Sequence, residues 1–136
     1  MEKIWDLIKN TGTCVLATSL NDKPRASIME HTVIDNKIVF STVSGSIKAK
    51  NLEKNNQVSI SVMKNFEYVT LDGILETSTE EETEKYLKIL KEKHPELIEL
   101  EKSGKLGKFV YYTLKNITAY YGDMSGEFKE PLIVKL

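Results

Sequence analysis

IVFSTVSGSIKAKNL, residues 38–52, decides how the chain is read. Ile38 and Phe40 alternate with Val39 and Ser41, the period of a strand. Ser44-Gly45-Ser46 breaks the run and supplies hydroxyls suited to cap a helix. Ala49 and Leu52 follow at i and i+3, the spacing of an amphipathic helix. The stretch is a buried strand, a Ser/Gly turn and the start of a helix. A helix N-terminus presents free N–H groups and the positive end of its dipole. With the hydroxyls of Thr42, Ser44 and Ser46 and the ammonium of Lys48, this turn is chemically suited to a phosphate. Taken by itself, the same chemistry also describes an ordinary strand-to-helix turn with a solvated lysine.

Upstream, residues 2–10 read as a helix with Ile4, Trp5 and Ile8 on one face, ended by Gly12 as a C-terminal cap. Thr13–Leu20 reads as a strand and Asn21-Asp22-Lys23-Pro24 as a turn. Arg25–Ile34 reads as a second strand, with Asp35-Asn36-Lys37 turning into the third. Downstream, Gln57–Met63 alternates apolar and polar residues as a half-buried antiparallel strand does. Tyr68–Glu76 is the next, with Gly73 marking a bulge or a close backbone approach. Thr79-x-x-Glu82 is a capping box that opens a long helix. Glu81/Lys85 and Glu84/Lys88 are spaced as ion pairs on its solvated face. Pro95 opens a short helix ending near Gly104. Phe109–Tyr121 is a long aromatic strand whose tyrosines are candidates for a dimer core. The tail PLIVKL is suited to a sheet edge or a partner surface. The sum is six or seven mostly antiparallel strands with peripheral helices, a number that closes or nearly closes into a barrel.

The 136 residues fit one domain, and 40% hydrophobic with 29% charged residues argue for a packed core rather than disorder. A net charge of −1 argues against a nucleic-acid binder, which is normally basic. It leaves room for a phosphate-bearing small molecule. The one cysteine, Cys14, sits in an apolar run and reads as a small buried hydrophobe. With no disulfide to form, a reducing, cytoplasmic setting is the expectation. His31 and His94 are too few for a zinc site, and no metal is expected. Glu2 and Asp6 interrupt the opening apolar residues, so no signal peptide is expected. No apolar run approaches the ~20 residues that cross a membrane.

The order of these pieces resembles the FMN-binding split-barrel family, whose best-known member is pyridoxamine 5′-phosphate oxidase. The matching pieces are CVLATSL, then PRASIM after a turn, then IVFSTVSGSIKAKNLEKNNQVSISV, with GILETSTEEE further on. The resemblance implies a six-stranded antiparallel split β-barrel and a homodimer with two FMN sites at its interface. By position, Arg25, Ala26, Ser27 and Ile28 would line the isoalloxazine. Ser41 and Thr42 would lie beside the flavin and its phosphate tail. Ser46, Ile47 and Lys48 would hold the phosphate, with Lys48 as the cation. Tyr68 falls where the oxidase has a flavin-reaching glutamine, and Tyr121 where it has a flavin-side tryptophan. The C-terminal Arg-x-His motif that binds the oxidase's pyridoxal substrate is absent: after Tyr121 the chain runs GDMSGEFKEPLIVKL. Vitamin B6 oxidation is therefore not expected. The chain is similar instead to the general-stress-protein branch of the family.

The resemblance implies an FMN-dependent oxidoreductase acting on a small molecule, with NAD(P)H a candidate donor and no nameable catalytic base. No Ser-His-Asp or paired-carboxylate pattern argues for hydrolysis. The alternative is a non-catalytic protein that binds or senses flavin or haem. Haem would need His31 or His94 as its axial ligand. A deazaflavin is compatible with the same turn.

Overall fold

A computed structural model describes residues 1–136. In chain order the elements are α1 (Glu2–Lys9), β1 (Thr13–Leu20), β2 (Lys23–Glu30), β3 (Thr32–Ile34), β4 (Lys37–Val43), α2 (Ile47–Lys54), β5 (Gln57–Lys64), β6 (Glu67–Thr77), α3 (Glu80–Lys93), α4 (Pro95–Lys102), β7 (Phe109–Asp123) and β8 (Leu132–Lys135). All strand pairs are antiparallel, in the order β2-β1-β5-β6-β7-β4-β3, with β8 on β7. Six long strands make the curled half-barrel that the sequence implied. The two short ones, β3 and β8, bring the total to eight.

Local chemistry explains most connections. The β1–β2 and β3–β4 hairpins turn on Asn21-Asp22 and Asp35-Asn36, all four with positive φ. That is the two-residue hairpin geometry Asn and Asp tolerate best. Pro24 lies on β2, the terminal strand of the sheet, where a missing N–H costs no ladder bond. The segment expected as one strand from Arg25 to Ile34 is broken at His31. His31 is buried, and its Nε2 lies 2.8 Å from the Ile8 carbonyl at the end of α1. It thus serves one of the carbonyls a helix leaves unpaired at its C-terminus. Gly12 does not cap that helix. Asn10 does, and Gly12 lacks the positive φ of such a cap.

Gly73 is close to its neighbours, as expected, but the extra residue of the bulge lies across from it. Asp72 pairs with Thr118 and Ile74 with Lys115, so Asn116 and Ile117 both oppose Gly73. Asn116 absorbs the bend at φ 53°.

The barrel is filled by Leu16, Ile38, Phe40, Ile60, Val69 and Leu71 with their neighbours, joined by Ile4, Leu7 and Ile8 of α1. A smaller core of Val39, Tyr86 and Leu90 seats α3 on the outside of β4. The capping box is formed: Thr79 Oγ1 accepts from the Glu82 amide and Glu82 Oε1 from the Thr79 amide. Glu82 Oε2 accepts from Lys37 Nζ at 3.1 Å and Lys115 Nζ at 3.2 Å, so one buried carboxylate ties α3 to β4 and β7. On the exposed face Glu81/Lys85 pairs at 3.5 Å, whereas Glu84/Lys88 is not among the ion pairs. Of the tyrosines offered for a dimer core, Tyr112 is buried within the barrel. Tyr111 packs edge-on against Tyr86. Both are used inside one chain. The PLIVKL tail pairs along β7 at Thr118–Tyr121.

A Cβ at Gly73 would lie 2.7 Å from the Lys115 carbonyl oxygen, a backbone atom that cannot rotate away. Gly73→Ala should lower the unfolding free energy by about 1–3 kcal/mol of overpacking, read as a lower urea midpoint, and an unchanged midpoint would show that the sheet yields freely there. For Glu82, burial raises the carboxyl pKa. The Thr79 amide, Lys37 and Lys115 together outweigh that and bring it down to about 2. A depressed folded pKa contributes stability above the unfolded value of 4.5, lost as the pH falls through about 2. The stability difference between wild type and Glu82→Gln should therefore be largest near neutral pH and shrink across that acid window. A difference that stays constant with pH would sink the ionic account.

Candidate functional site

The strand-to-helix turn is built as its sequence suggests. Ser46 caps α2, its Oγ accepting from the Ala49 amide at 3.2 Å, and Thr42 Oγ1 lies 3.3 Å from the same oxygen. Gly45 takes φ 86°, which lets the chain reverse between β4 and the cap. Ala49 and Leu52 are buried and anchor the helix. Ile47 and Lys48 are the first two residues of α2, and their amides have no intrahelical acceptor. Lys48 is half-buried and forms no ion pair. Dipole, two free amides, two hydroxyls and an unpaired ammonium thus converge on one turn.

Beside it the barrel is split. β3 pairs with β4 from Thr32↔Val39 to Ile34↔Lys37. Past His31, β2 leaves β4 and the two do not pair. The β2 edge and the Phe40–Val43 edge of β4 therefore face a slot with free backbone donors and acceptors. α2 spans one end of it. Asn51 Nδ2 donates to Thr18 Oγ1 at 3.5 Å and Asn55 Nδ2 to Ser19 Oγ at 3.1 Å, both on β1.

The residues expected at a cofactor fall into three groups. Ser41, Thr42, Ser46, Ile47 and Lys48 lie together at the turn. The Ser41 hydroxyl, however, points to α3 and lies 3.2 Å from the Tyr86 Oη. Arg25, Ala26, Ser27 and Ile28 lie on β2 and are split between faces. Arg25 and Ser27 oppose Thr18 and Leu16 on the barrel side, while Ala26 and Ile28 oppose Ala17 and Val15 on the outside. Arg25 lies opposite Thr18, the residue that accepts from Asn51 of α2.

The third group is elsewhere. Tyr121 lies eleven residues beyond Val110, the partner of Thr42, which is about 35 Å of strand at ~3.3 Å per residue. Its hydroxyl donates to Glu67 Oε2, and Lys3 Nζ lies 5.8 Å from the ring centroid. The Glu67 bond, with burial and the Glu67 charge, pushes the Tyr121 pKa up to about 12. Tyr68 lies over Gly122. It shares an apolar depression of about 350 Å³ on the outer face with Ile28, Val15 and Met63. A wider groove, about 500 Å³, passes Thr18, Ser19 and Asp72 and is lined by none of the expected residues.

Other titratable groups are occupied. Burial pushes the Cys14 thiol up to about 12, so it stays protonated. His94 Nδ1 lies 3.1 Å from Glu96 Oε1 on the surface. No three His, Cys, Asp or Glu side chains converge as a metal ion would need. No helix is long and apolar enough to cross a membrane. Sequence reading missed the Asn51–Thr18 and Ser41–Tyr86 contacts, because each joins residues more than thirty positions apart.

Solved structures with the same fold include a NimC/NimA family protein from Clostridium acetobutylicum. It is 20% identical, with 100% of this chain and 93% of that one covered and a TM-score of 0.76. General stress protein 26 from Bacillus anthracis is 23% identical, covering 99% and 97%, with a TM-score of 0.71. A haem-binding protein from Mycobacterium smegmatis is 16% identical over 95% of this chain and 55% of its own, with a TM-score of 0.70. At these identities the likeness is one of fold. No curated protein matches the sequence. The sequence profile described as pyridoxamine 5′-phosphate oxidase matches residues 1–121, nearly the whole barrel. The chain belongs to that family.

Proposed function

We propose that this protein binds FMN, with the phosphate on the Ser46–Lys48 turn, and acts as an oxidoreductase on a small molecule from within a homodimer. The observation that carries the reading is the turn itself: free Ile47 and Lys48 amides, the Thr42 and Ser46 hydroxyls and an unpaired Lys48, at the end of a slot with unpaired strand edges. These donors fit a phosphate monoester. The β2 edge at Arg25–Ile28 offers backbone N–H and C=O groups suited to the polar rim of a flat heterocycle. Bound FMN would supply hydride or electron transfer. The chain's own part is to hold the phosphate, orient the ring and exclude water. A deazaflavin phosphate would meet the same donors, and NAD(P)H is a candidate electron source.

Haem is disfavoured. His31 is buried against the Ile8 carbonyl, and His94 sits among Glu96 and Glu30 on the surface. A cytoplasmic setting agrees with the lone, protonated Cys14.

The homodimer reading draws on the outer sheet face. By register Ile28, Val15, Met63, Tyr68 and Ile133 share it, with Ile28 72%, Met63 54% and Ile133 63% exposed. An apolar face of this kind marks an interaction surface. A second copy on it would also offer its Tyr68 end to a site that one chain leaves without one.

The visible spectrum of the purified protein after gel filtration tests the cofactor. A flavin spectrum is expected, while a Soret band, or a colourless protein that ignores added FMN, would defeat the proposal. Lys48→Ala should weaken FMN binding by about 1–3 kcal/mol, the range for a lost charge-assisted contact. Equal affinity in fluorescence titrations would remove Lys48 from the site. Ile28→Asp should shift the mass in light scattering from dimer to monomer, and an unaltered dimer would place the interface elsewhere.

A further inference from the structure

The β4–β7 ladder runs one step past its last pair. Val43 faces Phe109, and the Ser44 amide then donates to the Lys108 carbonyl at 2.7 Å. Gly107 is close behind: a Cβ there would lie 3.7 Å from Val43 Cγ1. The connector between α4 and β7 therefore runs beside the Ser44–Lys48 turn. Register fixes which way its side chains leave. Residues two apart share a sheet face, as do cross-strand partners. Lys108 thus shares the face of Val110 and of Thr42, whose hydroxyl meets the capping Ser46. Phe109 and Tyr111 take the opposite face, where Tyr111 packs on Tyr86.

Charge is concentrated at the same corner. The segment 102–108 carries Lys102, Lys105 and Lys108 with no acid, and α2 carries Lys48, Lys50 and Lys54 against Glu53 alone, in a chain of net charge −1. The ion pairs elsewhere use Lys37, Lys85, Lys115 and His94, which leaves Lys48 and Lys108 without a carboxylate. A phosphate monoester carries close to two negative charges at neutral pH, and Lys48 balances one.

We propose that Lys108 is the second cation of the phosphate site, so that α2 and the α4–β7 connector hold a phosphate monoester from two sides. The inference rests on the phosphate reading of the turn and extends it to selectivity: Lys108 favours the phosphorylated flavin over the unphosphorylated one.

Titration of the full chain and its variants with FMN and with riboflavin tests this. Lys108→Gln should lose FMN affinity by about tenfold or more, the effect of one charge-assisted contact. It should bind riboflavin as wild type does, which also reports an intact fold. Lys108→Arg should recover most of the loss. Lys64→Gln, on β5 and away from the turn, should leave FMN binding unchanged. If Lys108→Gln matches wild type for FMN while Lys48→Gln is weakened, the assignment is overturned and the flavin reading stands. A loss in Lys64→Gln equal to that in Lys108→Gln overturns it as well, since net charge alone would then explain the effect. A wild-type chain that binds neither flavin overturns both readings.

Discussion

The fold depends on one covalent constraint. The sheet path begins with β2 and ends with β3, and these strands are consecutive in sequence, joined by His31 alone. Laid flat, a path of this many strands would separate its ends by about 29 Å at ~4.8 Å per step. One intervening residue holds them within about 7 Å. The sheet must therefore curl until its ends meet. His31 also fixes how the closed end is covered, since its Nε2 meets the last turn of α1 while Ile4, Leu7 and Ile8 fill the opening. Its Nδ1 is buried without a partner. That costs about 1–3 kcal/mol, set against a satisfied helix carbonyl and a sealed barrel end.

The same constraint creates the slot. β3 can pair with β4 because the hairpin at Asp35-Asn36 holds them in register. β2 pairs with β1 along its whole length, from Thr13↔Glu30 to Leu20↔Lys23, and its other edge pairs with no strand. The two strands diverge past His31 and leave unpaired edges that water or a ligand must satisfy. Electrostatics then distinguishes two regions of the surface. At the α3 side, Lys37 and Lys115 are neutralised by a buried Glu82 and serve the fold. At the α2 side, Lys48 and Lys108 have no such partner. A cation that stability does not use is the better candidate for a ligand.

Much of this was legible because it is local. Alternation at Val58, Ile60 and Val62, the Thr79/Glu82 box and the Ser46 cap are each decided within a few residues, and each formed as read. The β2–β3 break was not legible, since RASIMEHTVI has strand composition throughout and only the closure at His31 interrupts it. The bulge was half legible. Gly73 marks the crowded spot, but the extra residue sits on β7, where Asn116 can take a positive φ. Glu82 was legible as the capping-box residue, but its second role was not, because both of its lysines come from distant strands. Lys108 looked like loop because its neighbour Ser44 is 64 positions away.

The resemblance implied a site at a dimer interface, and within one chain the residues expected there lie at both ends of a long ladder. Thr42 and Tyr121 belong to opposite ends of the β4–β7–β6 ladder, with Tyr121 eleven residues along β7 from the partner of Thr42. Within its own chain Tyr121 packs on the core, with Lys3 Nζ over its ring, and is held by Glu67. Ile28, by contrast, shares the outer depression with Tyr68. The β2 edge beside the slot and the far end of β6 are thus continuous across one exposed apolar face. A twofold partner laid on that face would exchange ends: each chain's Tyr68 end would approach the other's slot. Cofactor retention and dimerisation would then be linked, because a ligand that binds the assembled site and not the lone chain stabilises the assembly by mass action. On the proposed reading, a split barrel with the phosphate-binding turn at one end and the aromatic cluster at the other is half of a site.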